Sequence, residues 1–328
     1  MTDSAESPVQ PDSEVSAPAA PESATASAAH RHPDFHAGFV AFVGRPNAGK
    51  STLMNALVGE KVAITSAKPQ TTRRAIRGIL TADAGQIVVV DTPGLHRPRT
   101  LLGQRLNDIV EAELDGVDVV CVCLPADEAI GPGDRRIIEQ VGRHPRAKRV
   151  ALLTKTDRVR PDDVAARLVE IDALAEWATL IPVSAVTDDQ VDVVRDELIR
   201  LLPASQQLYD AETHTEDSIE VRAAELIREA MLEDVRDELP HSLAVVIDDV
   251  EAPEAEGGVT KIYASVFVER DSQKGIIIGR GGQRLKAFGT AARKQIEQLI
   301  GGRVHLDLRV KVAKEWQTSP KLLDRLGF

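Results

Sequence analysis

From Gly38 onward the chain alternates short apolar runs with amphipathic stretches. GFVAFVG (38–44), RAIRGILT (74–81), QIVVVDTPG (86–94), VDVVCVCL (117–124), RVALLT (149–154) and TLIPVS (179–184) read as strands. Between them, STLMNALVG after Lys50, LLGQRLNDIVEAEL (101–114), DRRIIEQVGR (134–143), PDDVAARLVEIDALAEW (161–177) and DDQVDVVRDELIRLL repeat apolar residues at helical spacing. Strands alternating with helices at this length predict an α/β fold, a mostly parallel, doubly wound sheet covered on both faces.

The pattern breaks at PASQQLYDAETHTED (203–217), a polar stretch that marks a linker. Beyond it the order changes to a helix (218–239, ended by Pro240), two strands (242–250 and 259–268), a helix, a Gly-rich turn, a helix (283–300) and a strand (303–313). That order, α-β-β-α-α-β, is a small α+β domain. The expected organisation is a tail over 1–36, an α/β domain over 37–202, the linker, and an α+β domain over 218–328. The first thirty residues hold eight Ala, six Ser and four Pro with no Lys or Arg, which predicts a disordered tail and neither a signal nor a transit peptide.

Charge changes this picture. Lys and Arg number 40 against 51 Asp and Glu, a net charge of -11, and aromatic residues make up 3%. Taken whole, that argues against a nucleic-acid binder. Residues 259–328, however, carry 14 basic and 6 acidic side chains, a balance of +8 that leaves -19 for the rest. A basic C-terminal block on an acidic chain is the footprint of a module that meets a polyanion; a merely solvated basic face is the alternative. Cys121 and Cys123, two apart in one apolar run, share a strand face and read as buried thiols in a reducing cytosol. No apolar run reaches the ~18 to 20 residues that span a bilayer.

Gly44-Arg45-Pro46-Asn47-Ala48-Gly49-Lys50-Ser51 fits G-x-x-x-x-G-K-[ST] between a strand and a helix, with Thr52 following. Backbone N–H groups of such a loop curl around a triphosphate. Lys50 supplies a point charge to the β and γ oxygens, and Ser51 a hydroxyl to Mg2+. Asp91-Thr92-Pro93-Gly94 closes a strand where Asp91 reaches Mg2+ through water and the Gly94 N–H meets the γ-phosphate. Thr71 and Thr72 lie where a switch loop would place a hydroxyl on the metal, and which of the two does so is left open. Thr154-Lys155-Thr156-Asp157 and Ser184-Ala185 each follow a strand. The Asp157 carboxylate can accept two hydrogen bonds from guanine N1–H and N2–H2, which adenine cannot offer, while the Lys155 stem covers the base and a backbone N–H near Ala185 meets O6.

In the basic block, Gly279-Arg280-Gly281-Gly282 fits G-x-x-G between two helical segments, so that backbone N–H groups approach nucleic-acid phosphates. Lys274, Arg280, Arg284, Lys286, Arg293 and Lys294 surround it, and Ile276, Ile277 and Ile278 are candidates for an aliphatic groove floor. At least one of the three reads as ordinary core, and Trp316 reads as packing, with base stacking as the alternative.

These five nucleotide elements resemble those of translation-factor-class GTPases. GRPNAGKST, KPQTTRR and DTPGLH, together with the C-terminal VHLDLRVKVAKEWQTSPKLLDRLGF, are similar to the Era family within the TrmE-Era-EngA-like class; the second module resembles a type II KH domain. The resemblance covers about residues 37–328. It implies a GTPase that uses GTP/GDP and Mg2+, with Lys50, Thr72 and Gly94 serving hydrolysis and a K+ ion held by Asn47. It also implies a cytoplasmic monomer that binds the 3′ region of 16S rRNA and the 30S subunit, with partial association to the inner membrane face. Two positions, Thr154 and Ala48, depart from the family pattern, Ala48 standing where Val is common. Thr154 stands where Asn is usual, which predicts looser packing of base site on phosphate loop, and Leu95 follows Gly94 where no aliphatic group can orient water, which predicts slow intrinsic hydrolysis. The alternatives are a nucleotide-gated RNA-binding scaffold with negligible turnover and a peripheral membrane or cell-cycle switch.

Overall fold

The computed structural model describes residues 34–328 except 69, 96, 99, 236–238 and 256. The apolar runs of the first half form six strands: β1 (His36–Val43), β2 (Ile76–Ala82), β3 (Gly85–Asp91), β4 (Val119–Pro125), β5 (Lys148–Thr154) and β6 (Thr179–Pro182), ordered β2-β3-β1-β4-β5-β6. All neighbours are parallel except β2, which forms an antiparallel hairpin with β3. Strands β3 and β4 are buried along their whole length, as continuous apolar runs require in a sheet covered on both faces. Helices α1 (Lys50–Val58) and α5 (Val191–Leu201) cover one face; α2 (Leu101–Leu114), α3 (Pro132–Val141) and α4 (Pro161–Asp172) cover the other. Cys121 and Cys123 are free, buried thiols on the first face, and burial pushes the Cys123 thiol up to about 12. Chain order leaves β1 for β3 on one side and β4 on the other, so the loop after β1 sits where the strand order reverses.

The second half contains α6 (Ile219–Leu232), α7 (Leu239–Ser242), β7 (Ala244–Glu251), β8 (Val259–Val268), α8 (Asp271–Ile278), α9 (Gln283–Ile300), β9 (Arg303–Val312) and α10 (Pro320–Arg325). Its sheet runs β7-β8-β9, with β8 and β9 parallel, and α6 and α9 share its core. The expected α-β-β-α-α-β order is present, with α7 and α10 added.

Two helix ends differ from expectation. Helix α4 stops at Asp172, where Leu174 N–H caps back on Ile171 and the Trp177 indole donates to the same carbonyl at 3.0 Å. Helix α6 stops at Leu232, and Pro240 sits inside the first turn of α7, where its missing N–H has no partner to lose. Part of the helix expected over 218–239 lies outside the described residues.

The segment 203–217, expected as a linker, is fastened to the first sheet. Gln86 donates to Tyr209 O at 2.8 Å and accepts from the Leu208 and Tyr209 N–H groups, while Ile79 N–H donates to His214 O at 2.8 Å. The charge is also distributed differently from the two-block reading. Residues 37–202 hold 22 basic and 23 acidic side chains, and the acidity concentrates in 203–258, with 3 against 16.

Candidate nucleotide site and nucleic-acid interface

The loop from Gly44 to Ser51 connects β1 to α1, and it turns through Asn47 (φ 63°) and Gly49 (φ 89°). Gly94 is packed so closely on this loop that a Cβ there would lie 2.7 Å from Pro46 N, which brings Asp91-Thr92-Pro93-Gly94 against it. Lys50 is buried, its ammonium near Arg45 O (3.2 Å) and Gly44 O (3.4 Å); burial lowers its pKa against the pull of Asp91. The Arg45 side chain turns away to Asp134 (2.7 Å) and Glu128 (3.0 Å), so only its backbone faces the loop's interior. Asn47 Nδ2 donates to Ala67 O at 2.7 Å and ties the loop to residues 65–72. Thr92 donates to Phe42 O at 2.7 Å and is structural.

Three oxygens converge beside Lys50. Ser51 Oγ donates to Asp91 Oδ2 at 2.5 Å, Thr72 Oγ1 lies 3.1 Å from the same oxygen, and the two hydroxyls are 3.0 Å apart. Asp91 Oδ1 is buried without a hydrogen-bond partner, and burial raises its pKa against Lys50, Ser51 and Thr72. Two hydroxyls and a carboxylate with an orphaned oxygen form a hard-donor set that fits Mg2+ completed by phosphate oxygens. Thr71 Oγ1 donates instead to Lys68 O at 2.7 Å and takes no part in this set of hydrogen bonds. Leu95 is in the core, with its N–H on Gly44 O.

A cavity of about 460 Å³ runs over the loop, Thr72 and Gly94 and borders Thr52, Lys155 and Arg158. A smaller one of about 70 Å³ adjoins it between Gly49, Asp157 and Ala185. The Thr154 hydroxyl, expected to reach the phosphate loop poorly, donates to Ala48 O at 2.7 Å, so base site and loop are bonded after all. The compact hydroxyl suffices because a Cβ on Gly49 would sit 3.5 Å from Thr154, leaving little gap to span. Asp157 accepts from Ser184 Oγ at 2.7 Å, which aims one carboxylate oxygen and leaves the other outward. Lys155 adopts φ 58° and lies 3.5 Å from Asp127, which also pairs with Arg158 at 3.0 Å. Thr156 Oγ1 is buried without a partner. The Asp127–Arg158 rim carried no sequence signal, because its members are separated by a strand.

In the second half, Gly279, Gly281 and Gly282 have φ of 70°, 57° and 78°, and nothing lies within 4 Å of a Cβ added at Gly281 or Gly282. The loop therefore presents bare backbone, with Arg280 exposed. Beside it a groove of about 410 Å³ runs between α9 and β9, lined by Lys286, Leu285, Gly289, Arg293, Leu306 and Leu308 among others. Its aliphatic floor is this pair of elements. Ile277, expected there, is fully buried core; Ile276 is 45% exposed and Ile278 half-buried, on the helix before the loop with Lys274. Period-3.6 spacing of Leu285 and Gly289 on α9 was the signal available for the floor. Arg284 is an anchor: it donates to Asp234 Oδ2 and Asp234 O, both at 2.7 Å, and lies over Phe288. Trp316 is packing, fully buried with Nε1 on Ser242 O at 3.0 Å and its ring stacked on Phe328.

A family model described as "50S ribosome-binding GTPase" matches residues 39–155, and one described as "KH domain" matches 238–317. GTPase Era of Mycobacterium avium is 60% identical over 297 residues, covering 90% of this chain and 99% of the relative. GTPase Era of Mycobacterium tuberculosis is 58% identical over 298 residues with the same coverage. A crystal structure of Era in complex with MgGDPNP and nucleotides 1506–1542 of 16S ribosomal RNA superposes with a TM-score of 0.86 at 32% identity, covering 89% of this chain and 99% of that one. A variant of Aquifex aeolicus Era bound to GDP.AlF4- gives 0.85 over the same extent. Because these matches run through the nucleotide loop, the base site and the glycine-loop module together, the chain belongs to the Era family of GTPases.

Proposed function

We propose that this chain is a GTP-hydrolysing ribosome-assembly factor whose KH module binds 16S rRNA near its 3′ end, aids 30S maturation, and engages RNA under control of the bound nucleotide. The observation that carries this reading is the meeting of Ser51, Thr72 and Asp91 at one point in a chain that also bears a bare glycine loop beside a basic aliphatic groove. In this reading the backbone of 44–52 holds the phosphates, Lys50 neutralises the β and γ oxygens, and the Gly94 N–H meets the γ-phosphate. Ser51 and Thr72 hold Mg2+ directly and Asp91 holds it through water; the bound ion supplies charge neutralisation across the β and γ oxygens. Asp157 reads guanine, Lys155 covers it, Thr154 and Thr156 brace the turn, and Ser184-Ala185 close the far edge. Residues 37–202 act as the G domain and 218–328 as the KH module.

Leu95 places no polar side chain near the attacking water, so turnover is slow without help. A K+ ion at Asn47, which already bonds the 67 carbonyl, is the candidate replacement for a polar group. The chain is read as a cytoplasmic monomer. Peripheral contact with the inner membrane face has the basic block as its only support, and the RNA groove uses that block already.

Multiple-turnover GTP hydrolysis in K+ against Na+ buffer, with 30S subunits or a 16S 3′-end RNA added, tests this reading. Stimulation by both K+ and RNA, abolished by Lys50→Ala, is expected. Absence of turnover under every condition would leave the scaffold alternative, and co-sedimentation with 50S rather than 30S subunits would overturn the partner assignment.

A further inference from the structure

Arg73 directly follows Thr72 in the chain, yet its guanidinium lies in the KH module and is almost fully buried. Nη1 donates to Leu243 O at 2.6 Å, Nη2 to Pro240 O at 2.7 Å and His241 O at 3.0 Å, and the group sits 5.8 Å over the Trp316 ring. Arg228 of α6, equally buried, donates to the carbonyl of Thr71 and is oriented by Glu225 through bonds of 3.1 and 2.6 Å. Its neighbour Glu229 accepts from Thr65 N–H at 2.9 Å and from Lys61 at 2.5 Å. His241 Nδ1 lies 3.1 Å from Gln70 Oε1, so residues 65–73 are gripped by the KH module at Thr65, Gln70, Thr71 and Arg73, on both sides of the Thr72 hydroxyl.

Two buried cations side by side are a costly way to join two domains, because each loses hydration and repels the other. Burial and the proximity of Arg228 push Arg73 down to about 9, so it stays charged at neutral pH. Apolar packing would hold the domains together at lower cost. What the guanidiniums add is direction: bonds that fix the backbone immediately before Thr72 and the side chain immediately after it. The superposition with the relative that holds MgGDPNP and RNA spans both domains, so the arrangement of the two domains in this chain is similar to one seen with a triphosphate analogue.

We propose that Arg73 and Arg228 are positioning residues through which the KH module holds the Thr72 hydroxyl at the Mg2+ site of the triphosphate state. This rests on the reading of Thr72 as a metal ligand. Coupling of this kind is reciprocal: a triphosphate with Mg2+ steadies the seat of the KH module by as much as the seated module strengthens metal binding.

The test titrates Mg2+ into the full chain loaded with a fluorescent, non-hydrolysable GTP analogue, and separately with GDP. Thr72→Ala and Arg228→Met should each raise the half-saturating Mg2+ concentration about tenfold with the analogue, the loss expected for one charge-assisted contact. Neither should change it with GDP, and the double variant should be no worse than either single one. No shift in Thr72→Ala would remove the ligand reading and the proposal with it. A shift in Thr72→Ala without one in Arg228→Met would refute the positioning role alone, as would equal losses with analogue and GDP. If Arg228→Met does not fold, Glu225→Gln, which loosens the same guanidinium, should shift the analogue titration about threefold, and an unshifted titration overturns the proposal.

Discussion

The hydroxyl of Thr154 is asked to do what an amide does in the family pattern, and Thr154→Val tests whether it does. The substitution keeps the branched shape and removes one donor. Thr154 is 4% exposed and Ala48 wholly buried, so no water replaces the 2.7 Å bond to Ala48 O; the second contact, 3.4 Å to Leu124 O, is too long to matter. Leaving a buried carbonyl unpaired costs about 1–3 kcal/mol. At roughly 2–4 °C per kcal/mol for a domain of this size, the nucleotide-free chain should melt about 2–12 °C lower. The same peptide leads into Gly49 and the phosphate-facing N–H groups, so GTP and GDP affinity should fall together by about five- to tenfold. Differential scanning calorimetry and equilibrium nucleotide titration measure the two effects. A melting temperature unchanged within about a degree, together with unchanged affinity, would show that the hydroxyl carries no load. Thr154→Asn is the companion: its Nδ2 can reach the same carbonyl, and affinity should stay within about threefold of the parent.

Three further outcomes follow from the geometry. Asp157→Asn keeps an oxygen for Ser184 but places an amide where guanine presents two donors; GTP affinity should fall by about 10²–10⁴ with ATP affinity unchanged, and a small or nucleotide-blind loss would contradict the base assignment. Gly281→Asp meets no neighbouring atom and takes φ 57°, which Asp tolerates, so the chain should fold and bind GTP normally while RNA affinity by fluorescence anisotropy drops at least about tenfold. Asp91 is raised by burial, so the native chain holds a proton that the unfolded chain releases earlier. Its protonated form favours the nucleotide-free fold at pH below the ordinary carboxylate value, that stability is lost as pH rises through its own higher value, and Mg2+ must displace the proton. Acidification should weaken Mg2+ binding more steeply in the parent than in Asp91→Asn, and parallel pH profiles would exclude Asp91 from the site.

The sequence carried the fold where elements are local. Phosphate loop, strand positions along the chain and glycine loop are written in local runs of residues, and α2 and α9 appear over the expected residues. Positions that depend on a distant partner were not legible. Whether Thr71 or Thr72 faces the metal depends on a one-residue rotation of an irregular segment, set by Lys68 O and by Arg228 from 157 positions away. Arg284 lies in a basic block and so reads as an RNA ligand, and its bond to Asp234, fifty positions earlier, carried no sequence signal. Ile276, Ile277 and Ile278 were candidates for the groove floor with at least one expected as core; that one is Ile277, sent inward by helical geometry, while α9 and β9 line the groove beside the loop.

The charge distribution acquires a physical role once the two halves are seen together. The acidic stretch 203–258 is laid against cations of the G domain: Asp217 on Arg74, Glu216 on Arg77, Glu229 on Lys61. Within the stretch, Arg222 reaches back to Glu60. These pairs use up positive charge around β2 and the 65–73 segment, which would otherwise compete for RNA phosphates at the seam between domains. Of the basic side chains of 259–328, Lys286 and Arg293 line the walls of the groove. On the proposed function, the same sequence asymmetry would repel an RNA strand from the seam between domains and draw it to the groove. Added salt should weaken RNA binding through the groove residues, with log affinity falling linearly in log salt at about 0.7 per phosphate contact. Charge reversal at Lys286 should flatten that slope by about one contact, and reversal at Arg74, paired in the seam, should leave it unchanged. An equal change of slope at both positions would mean that the seam, too, meets RNA.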